Sequence, residues 1–243
     1  MTAVQRMLAI IVVLFATMKV VVLAMSPPLP PARLIAFLFW PGMRPAVFAA
    51  PRRELGGVRE HLLRGLRNIG CGAVLLAVAI SMARHLPLAA AIAVGLPAIS
   101  LILHFGIFPI ATAAWRAAGF DVDDVFRKPW RSKSLAEFWS RRWNAGFSEM
   151  LAVIVSRPVT QRFGRRASIF AAFLASGVLH ELAISVPARG GYGLPTLYFA
   201  LHGVLVALGL RGRVATMLAV VLPLPLLFHA PFMRAVVMPI FQT

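Results

Sequence analysis

The amino-acid sequence predicts an all-α, polytopic integral membrane protein with about seven transmembrane helices and a cytoplasmic amphipathic helix. Of its 243 residues, 60% are hydrophobic and only 14% are charged. Soluble domains are nearer half apolar and a quarter charged, so the bilayer is expected to solvate most of this chain. The apolar runs have the length of helical crossings, and no ten-residue alternating pattern indicates a β-barrel. We expect a single membrane domain over residues 1–243.

Four apolar runs precede a central polar stretch. They are Met7–Met25, Leu34–Ala50, Ile69–Met82 and Leu88–Trp115. No clear small-x-small cleavage site follows the first run, so we expect it to be retained as a span rather than removed as a signal peptide. Trp40-Pro41-Gly42 interrupts the second run, which is either kinked or re-entrant. The fourth run is too long for one straight span, and Pro97 and Pro109 predict either bends or two pieces.

Three more runs and a short apolar tail follow the central stretch. They are Ala167–Val186, Tyr192–Leu210, Val214–Ala230 and the tail Phe232–Phe241. Arginines are concentrated in alternate loops, which by the positive-inside rule are cytoplasmic together with the N-terminus. The net charge of +17 is therefore ascribed to membrane topology. Nucleic-acid binding is not expected, because the pattern indicates no soluble basic face.

The central stretch, residues 116–166, contains a segment with the pattern of a capped amphipathic helix. Ser134 and Glu137 have the spacing of a capping box, in which each side chain binds the other's backbone N–H. An aromatic stripe with four-residue spacing follows, formed by Trp139, Trp143, Phe147 and Leu151. A polar face accompanies it, formed by Glu137, Arg141, Asn144 and Ser148. This spacing predicts a helix at the membrane surface or at the mouth of a cavity.

Two interpretations of this segment stay open. In the first, the tryptophans form an interfacial belt, and Arg141 and Arg142 only set the topology. In the second, Trp139 and Trp143 border an acyl tunnel, while the two arginines bind the anionic head group of coenzyme A. Asn144 carries both a donor and an acceptor, so it can orient a carbonyl or a hydroxyl without adding charge.

An ionisable pair inside a predicted span is the second notable feature. His180 and Glu181 lie in the run Ala167–Val186, and an ionisable side chain at membrane depth is costly unless it serves a function. Neighbours on a helix point about 100° apart, so the two cannot face the same point. We expect Glu181 to contact a polar group on another helix. Ser176 lies one turn before His180, and Gly177 permits close helix approach.

Two other histidines and the single cysteine are candidates for structural, substrate-binding and metal-binding roles. His104 is expected to make a structural hydrogen bond, while a structural and a substrate-binding role for His202 are equally supported. A metal site is not indicated, because no second ligand stands three or four residues from His180 and Cys71 is alone.

Three motifs in order along the chain resemble one family. Residues 138–144 (FWSRRWN), 176–181 (SGVLHE) and 201–203 (LHG) are similar to the wax-synthase-like branch of the membrane-bound O-acyltransferases, as is the WPGM stretch at residues 40–43. The resemblance covers roughly residues 39–203. The first two motifs at their spacing are fairly specific, whereas the third alone has no weight.

The resemblance implies an integral membrane enzyme that moves an acyl group from a thioester, usually acyl-CoA, to a hydroxyl group. The family's buried histidine corresponds to His180, and its preceding polar residue to Asn144. Acyl-CoA would be a co-substrate, and no cofactor is expected. The expected partners are the lipid bilayer, acyl-CoA and a hydroxyl-bearing acceptor, whose identity the sequence leaves open together with the oligomeric state.

The residues fit this chemistry independently of the family. A hydroxyl nucleophile needs a base within hydrogen-bond reach, and a neutral His180 can serve. The oxyanion of the intermediate needs a donor, which Asn144 can supply. Two other hypotheses remain: a transporter or channel with a proton or ion path through His180 and Glu181, and a non-catalytic membrane partner. Release of coenzyme A separates the first hypothesis from these two.

Overall fold

The computed structural model describes residues 1–242 and is all-α, as predicted. Within those residues the regular structure consists of α-, π- and 3-10 helices, and the pairing of Ser134 with Arg211 is an isolated bridge. Four segments are long and apolar enough to cross a membrane: Ala3–Ala24, Val58–Met82, Leu88–Ala117 and Ala145–Ala188. A bent pair, Arg213–Leu227 and Ala230–Phe241, makes five at most among these residues. The predicted seven crossings are therefore not confirmed.

The chain divides into two compact units. The first comprises Met1–Met25 and Arg127–Val236, and the second comprises Ser26–Phe126 with the C-terminal residues from Val237. The expectation of a single functional domain stays a prediction.

The second unit is built on two long helices that pack along each other. The helix Val58–Met82 packs against Leu88–Ala117, which continues through a π-helical turn at Leu103–Ile107. The fourth run is therefore one continuous helical segment rather than two pieces. Pro109 does not break it, because it stands at the start of the helix that follows the turn, where proline is tolerated. The second run is broken, since Pro31–Phe39 ends before Trp40 and a new helix spans Pro45–Ala49.

The first unit contains the two main motifs. Its helices are Ala3–Ala24, Pro129–Arg131 (3-10), Leu135–Glu137, Phe138–Arg142 (π), Ala145–Leu151, Ala152–Ser156 (π), Arg157–His180, Glu181–Ser185 (π), Val186–Ala188, Leu194–Ala207, Arg213–Val221, Leu224–Leu227, Ala230–Phe232 and Met233–Val237 (π). The last of these ends at the boundary between the units.

The amphipathic helix predicted from Ser134 is not a single helix. The Ser134 hydroxyl does accept the Glu137 N–H at 3.1 Å, but Glu137 accepts the N–H of Lys133 rather than that of Ser134. The helix ends after a π turn, because Trp143 is extended and Asn144 adopts a left-handed conformation with φ of 46°. A new helix starts at Ala145. The four-residue periodicity of the sequence thus runs across a break that it does not reveal.

Residues 145–188 form a helical hairpin rather than one 44-residue rod. Gly164 has φ 80° and ψ 174°, a backbone conformation that is essentially restricted to glycine. The Ser168 hydroxyl donates to the Ser156 carbonyl at 3.1 Å across this point. Twelve residues of straight helix would separate these two by about 18 Å, so the chain must fold back at Gly164. We call residues 145–163 the first arm and residues 165–188 the second arm.

Candidate active site

A cavity of about 470 Å³ lies in the first unit and is lined by both hairpin arms. Its size is within the usual range of small-molecule sites. The lining residues that the sequence singled out are Trp139, Trp143, Asn144, Phe147, Ser148, Leu151, Ser176 and His180. All four members of the predicted aromatic stripe therefore border one cavity, although they do not share one helix.

The hairpin register brings Asn144 and His180 to the same level. Ser156 and Ser168 are in contact. Asn144 lies twelve residues before Ser156, and His180 lies twelve residues after Ser168. Equal distances along two antiparallel arms, about 18 Å each, end at the same depth. The rings of Phe147 and His180 confirm this level, since their centroids are 6.1 Å apart in an edge-to-face arrangement.

The local hydrogen bond of His180 determines which ring nitrogen is basic. Its Nδ1 lies 2.7 Å from the carbonyl oxygen of Ser176. A carbonyl only accepts, so Nδ1 carries the proton of the neutral ring and Nε2 keeps a lone pair. Phe199 packs on the ring with its centroid 4.3 Å away. His180 thus combines a fixed ring orientation with an accessible acceptor nitrogen.

Asn144 is oriented in the complementary way. Its Oδ1 accepts the N–H of Phe147 at 3.2 Å, which caps the first arm. Asparagine is among the few residues that tolerate the left-handed conformation found here. Because Oδ1 is engaged by a donor, the Nδ2 amide is the free half of the side chain, and it has no protein acceptor within residues 1–242. The cavity is therefore lined by one residue with a free acceptor and one with a free donor.

The two arginines of the FWSRRWN motif are not cavity residues. Arg142 donates to Glu137 at 2.7 Å and to the carbonyls of Arg127 and Lys128. The Lys133 N–H and the Arg142 guanidinium together hold the pKa of Glu137 below its ordinary value. Arg141 is exposed and absent from the lining. Neither side chain lines the cavity, so the structure does not support the expectation that Arg141 and Arg142 bind coenzyme A.

His202 lies behind the cavity wall. It is fully buried, and its Nδ1 donates to the Tyr198 carbonyl at 2.7 Å. Its ring is 5.3 Å from that of Trp139, which does line the cavity. The geometry favours the structural over the substrate-binding alternative.

Glu181 and Gly177 connect the second arm to the helix Leu194–Ala207. One carboxylate oxygen of Glu181 accepts the Gly193 and Thr196 N–H groups at 2.9 and 3.0 Å, together with the Thr196 hydroxyl. A carboxylate at a helix N-terminus is favourable, since it satisfies free N–H groups and the helix dipole. Gly177 packs so tightly that an added Cβ would lie 2.8 Å from the Thr196 Cα. Glu181 thus contacts another helix, as expected.

Three kinds of cavity residue were not predicted as site residues. Arg165 lines the cavity, as do the acidic Glu149 and the hydroxyl-bearing Ser140, Ser156 and Ser168. The sequence analysis assigned Arg165 and Glu149 to a cytoplasmic polar stretch. The sequence does not reveal the positive φ of Gly164. The turn at Gly164 forms the hairpin in which Arg165 and Glu149 line one cavity.

Comparisons with known proteins match the segment that carries most of this cavity. Residues 122–201 match the Membrane bound O-acyl transferase family. Probable long-chain-alcohol O-fatty-acyltransferase 7 of Arabidopsis thaliana is 38% identical over 98 residues, which are 35% of this chain and 28% of that protein. The predicted resemblance to wax-synthase-like membrane-bound O-acyltransferases is confirmed. With its family match and apolar helices, the protein is a multi-pass integral membrane protein.

Two further relatives act on hydroxyl acceptors according to their names. The long-chain-alcohol O-fatty-acyltransferase of Simmondsia chinensis is 32% identical over 107 residues, 40% of this chain and 30% of that protein. An acyl-CoA–sterol O-acyltransferase of Arabidopsis thaliana is 33% identical over 84 residues, 31% of this chain and 24% of that protein. The alignments thus span less than a third of the length of each of these relatives.

Proposed function

We propose that this protein transfers an acyl group from acyl-CoA to the hydroxyl group of a lipid or small-molecule acceptor, with His180 as general base and Asn144 as oxyanion donor. One observation carries the proposal: a single cavity is lined by a histidine whose Nδ1 is engaged and an amide whose oxygen is engaged. A free acceptor and a free donor are the two groups that acyl transfer to a hydroxyl requires.

The reaction follows from these two atoms. Nε2 of His180 takes the proton of the acceptor hydroxyl as its oxygen attacks the thioester carbonyl carbon. The Nδ2 amide of Asn144 donates to the oxygen on which negative charge develops. Collapse of the tetrahedral intermediate breaks the C–S bond, and the imidazolium returns its proton to the departing thiolate. The products are an ester and free coenzyme A, and the reaction needs no cofactor.

The cavity walls support this chemistry. Trp139, Trp143, Phe147, Phe173 and Phe199 provide apolar surface for an alkyl chain. Exclusion of water by such walls limits hydrolysis of the thioester. Since the named relatives act on long-chain alcohols and a sterol, those two acceptor classes are the first to test. A cytoplasmic N-terminus would put the basic loops on the side that supplies acyl-CoA.

Thiol release and ester formation by the purified protein test the proposal. The full chain is reconstituted in vesicles with acyl-CoA and either a long-chain alcohol, a sterol or no acceptor. We expect free thiol and the matching ester in equal amounts, with little thiol in the absence of acceptor. Proton or ion flux without thiol release would instead favour the transporter hypothesis, which the names of the relatives do not favour.

A further inference from the structure

The second hairpin arm presents one continuous face to the cavity. Its lining residues are Arg165, Ser168, Ile169, Ala172, Phe173, Ser176 and His180, at spacings of three and four residues. All lie beyond Gly164, where the helix is unbroken. The fifteen residue steps from Arg165 to His180 correspond to about 22 Å along the helix axis. The cavity face therefore has His180 at one end and a cation at the other.

Arg165 differs in its contacts from Arg142, one of the two arginines for which the sequence left coenzyme A binding open. Its guanidinium has no hydrogen-bond or ion-pair partner within residues 1–242, whereas Arg142 is engaged by Glu137 and two carbonyls. Glu149 also lines the cavity. In the hairpin register Glu149 is level with residue 175, about 15 Å along the arm from Arg165. The Arg165 end is thus positive, and its guanidinium is free to bind an anion.

The lining of the cavity is polar in a specific way. Four lining serines each donate their hydroxyl proton to a backbone carbonyl, at distances of 2.5 to 3.1 Å: Ser140, Ser148, Ser168 and Ser176. Such hydroxyls still accept hydrogen bonds through their lone pairs. A pure alkyl chain would leave these acceptors unused, whereas a ligand with N–H groups would pair with them.

On these grounds, and resting on the acyltransferase function proposed above, we infer that Arg165 binds the phosphate-bearing end of acyl-CoA while its thioester lies at His180. The arm that joins the thioester to the diphosphate contains two amide N–H groups and about thirteen bonds. At the spacing of an extended peptide this arm spans roughly 15 Å. The separation of Arg165 and His180 along the helix is larger, and the long Arg165 side chain covers the difference. The planar guanidinium fork suits phosphate oxygens.

Paired donors test this assignment. Initial rates are measured with acyl-CoA and with the same acyl group on pantetheine, which lacks the phosphates, for wild type and Arg165→Gln. Arg165→Gln should raise KM for acyl-CoA about tenfold, as expected for one charged hydrogen bond, with kcat unchanged. For acyl-pantetheine the variant and wild type should agree within about twofold. For acyl-CoA, the KM of Arg165→Lys should lie between those of wild type and Arg165→Gln.

Arg166→Gln is the matched control, because Arg166 is exposed like Arg165 but lies outside the cavity lining. An equal effect of Arg166→Gln, an equal effect of Arg165→Gln on both donors, or no effect would overturn the assignment. Nanodiscs of phosphatidylcholine with and without phosphatidylglycerol distinguish a lipid phosphate. An effect of Arg165→Gln that requires the anionic lipid would assign Arg165 to the bilayer instead.

Equilibrium dialysis with labelled coenzyme A makes this test independent of turnover. Wild type should bind coenzyme A about tenfold more tightly than Arg165→Gln, and pantetheine should compete poorly. If wild type binds coenzyme A in this way but releases no thiol from acyl-CoA, the acyltransferase function fails while the phosphate site stands. If thiol is released and Arg165→Gln binds normally, the phosphate site fails alone.

Discussion

The second hairpin arm and the helix Leu194–Ala207 pack against each other, and each carries a histidine with the same local bonding. Nδ1 of His180 donates to the carbonyl four residues earlier at 2.7 Å, and so does Nδ1 of His202. Only His180 lines the cavity, because His202 is fully buried beside Trp139 and Tyr198. A histidine in an apolar helix is therefore not identified as catalytic by its own helix. Whether such a histidine lines a cavity depends on the elements packed around it.

The largest expected difference is between alanine variants of these two histidines. His180→Ala should lower kcat by about 10²–10⁴-fold, the usual contribution of a general base, with thermal stability nearly unchanged. His202→Ala should instead lower stability by about 3 kcal/mol through loss of buried packing, while the folded fraction keeps its turnover. Turnover per folded molecule and the midpoint of thermal unfolding in detergent separate the two effects. Retained turnover in His180→Ala would refute the base assignment.

Asn144→Asp sharpens the comparison at the partner of His180. Aspartate keeps a side-chain oxygen that can accept the Phe147 N–H and tolerates the left-handed conformation, but it lacks the Nδ2 donor. We expect kcat to fall about 10²-fold, since one oxyanion donor is lost, with little change in unfolding temperature. Asn144→Gly serves as the control, because it permits the backbone conformation and removes both functions. Turnover of Asn144→Asp near the wild-type value would leave Asn144 as a helix cap only.

Glu181→Gln should have the smallest effect and tests whether the residue beside His180 takes part in the chemistry. The carboxylate caps the helix Leu194–Ala207 from the second arm, so its neutral analogue should cost about 1 kcal/mol of stability. Turnover should stay within about threefold, because Glu181 does not line the cavity. Thermal unfolding and initial rates measured on the same preparation provide the check. A loss of turnover as large as that of His180→Ala would place Glu181 in the reaction.

Several features of the site were accessible from local sequence. The SGVLHE motif and the 100° offset of helix neighbours separated His180 from Glu181, and the structure shows them facing different surroundings. Ser134 was correctly predicted to cap a helix. The periodicity of the aromatic stripe was also informative, because Trp139 and Phe147 do border the same cavity. These are properties of residues close together in the chain, where spacing determines direction.

Other features depended on long-range geometry. The sequence left open whether Arg141 and Arg142 bind coenzyme A or only set the topology, and it did not single out Arg165, which lines the cavity. A basic side chain in a loop looks the same in sequence whether it pairs with Glu137, faces solvent or lines a cavity. The seven crossings predicted from the apolar runs are likewise not confirmed, because hydropathy does not distinguish a continuous span from short, broken helices.

By itself, the sequence determined the helical class, the membrane solvent, the family resemblance and the two motifs that carry Asn144 and His180. These follow from composition, helical period and motif spacing, which are local quantities. Only the tertiary structure decided that the two residues line one cavity. Their convergence depends on a reversal at Gly164 with two arms of equal length, and that register is set by contacts between residues distant in the chain, such as Ser156 with Ser168.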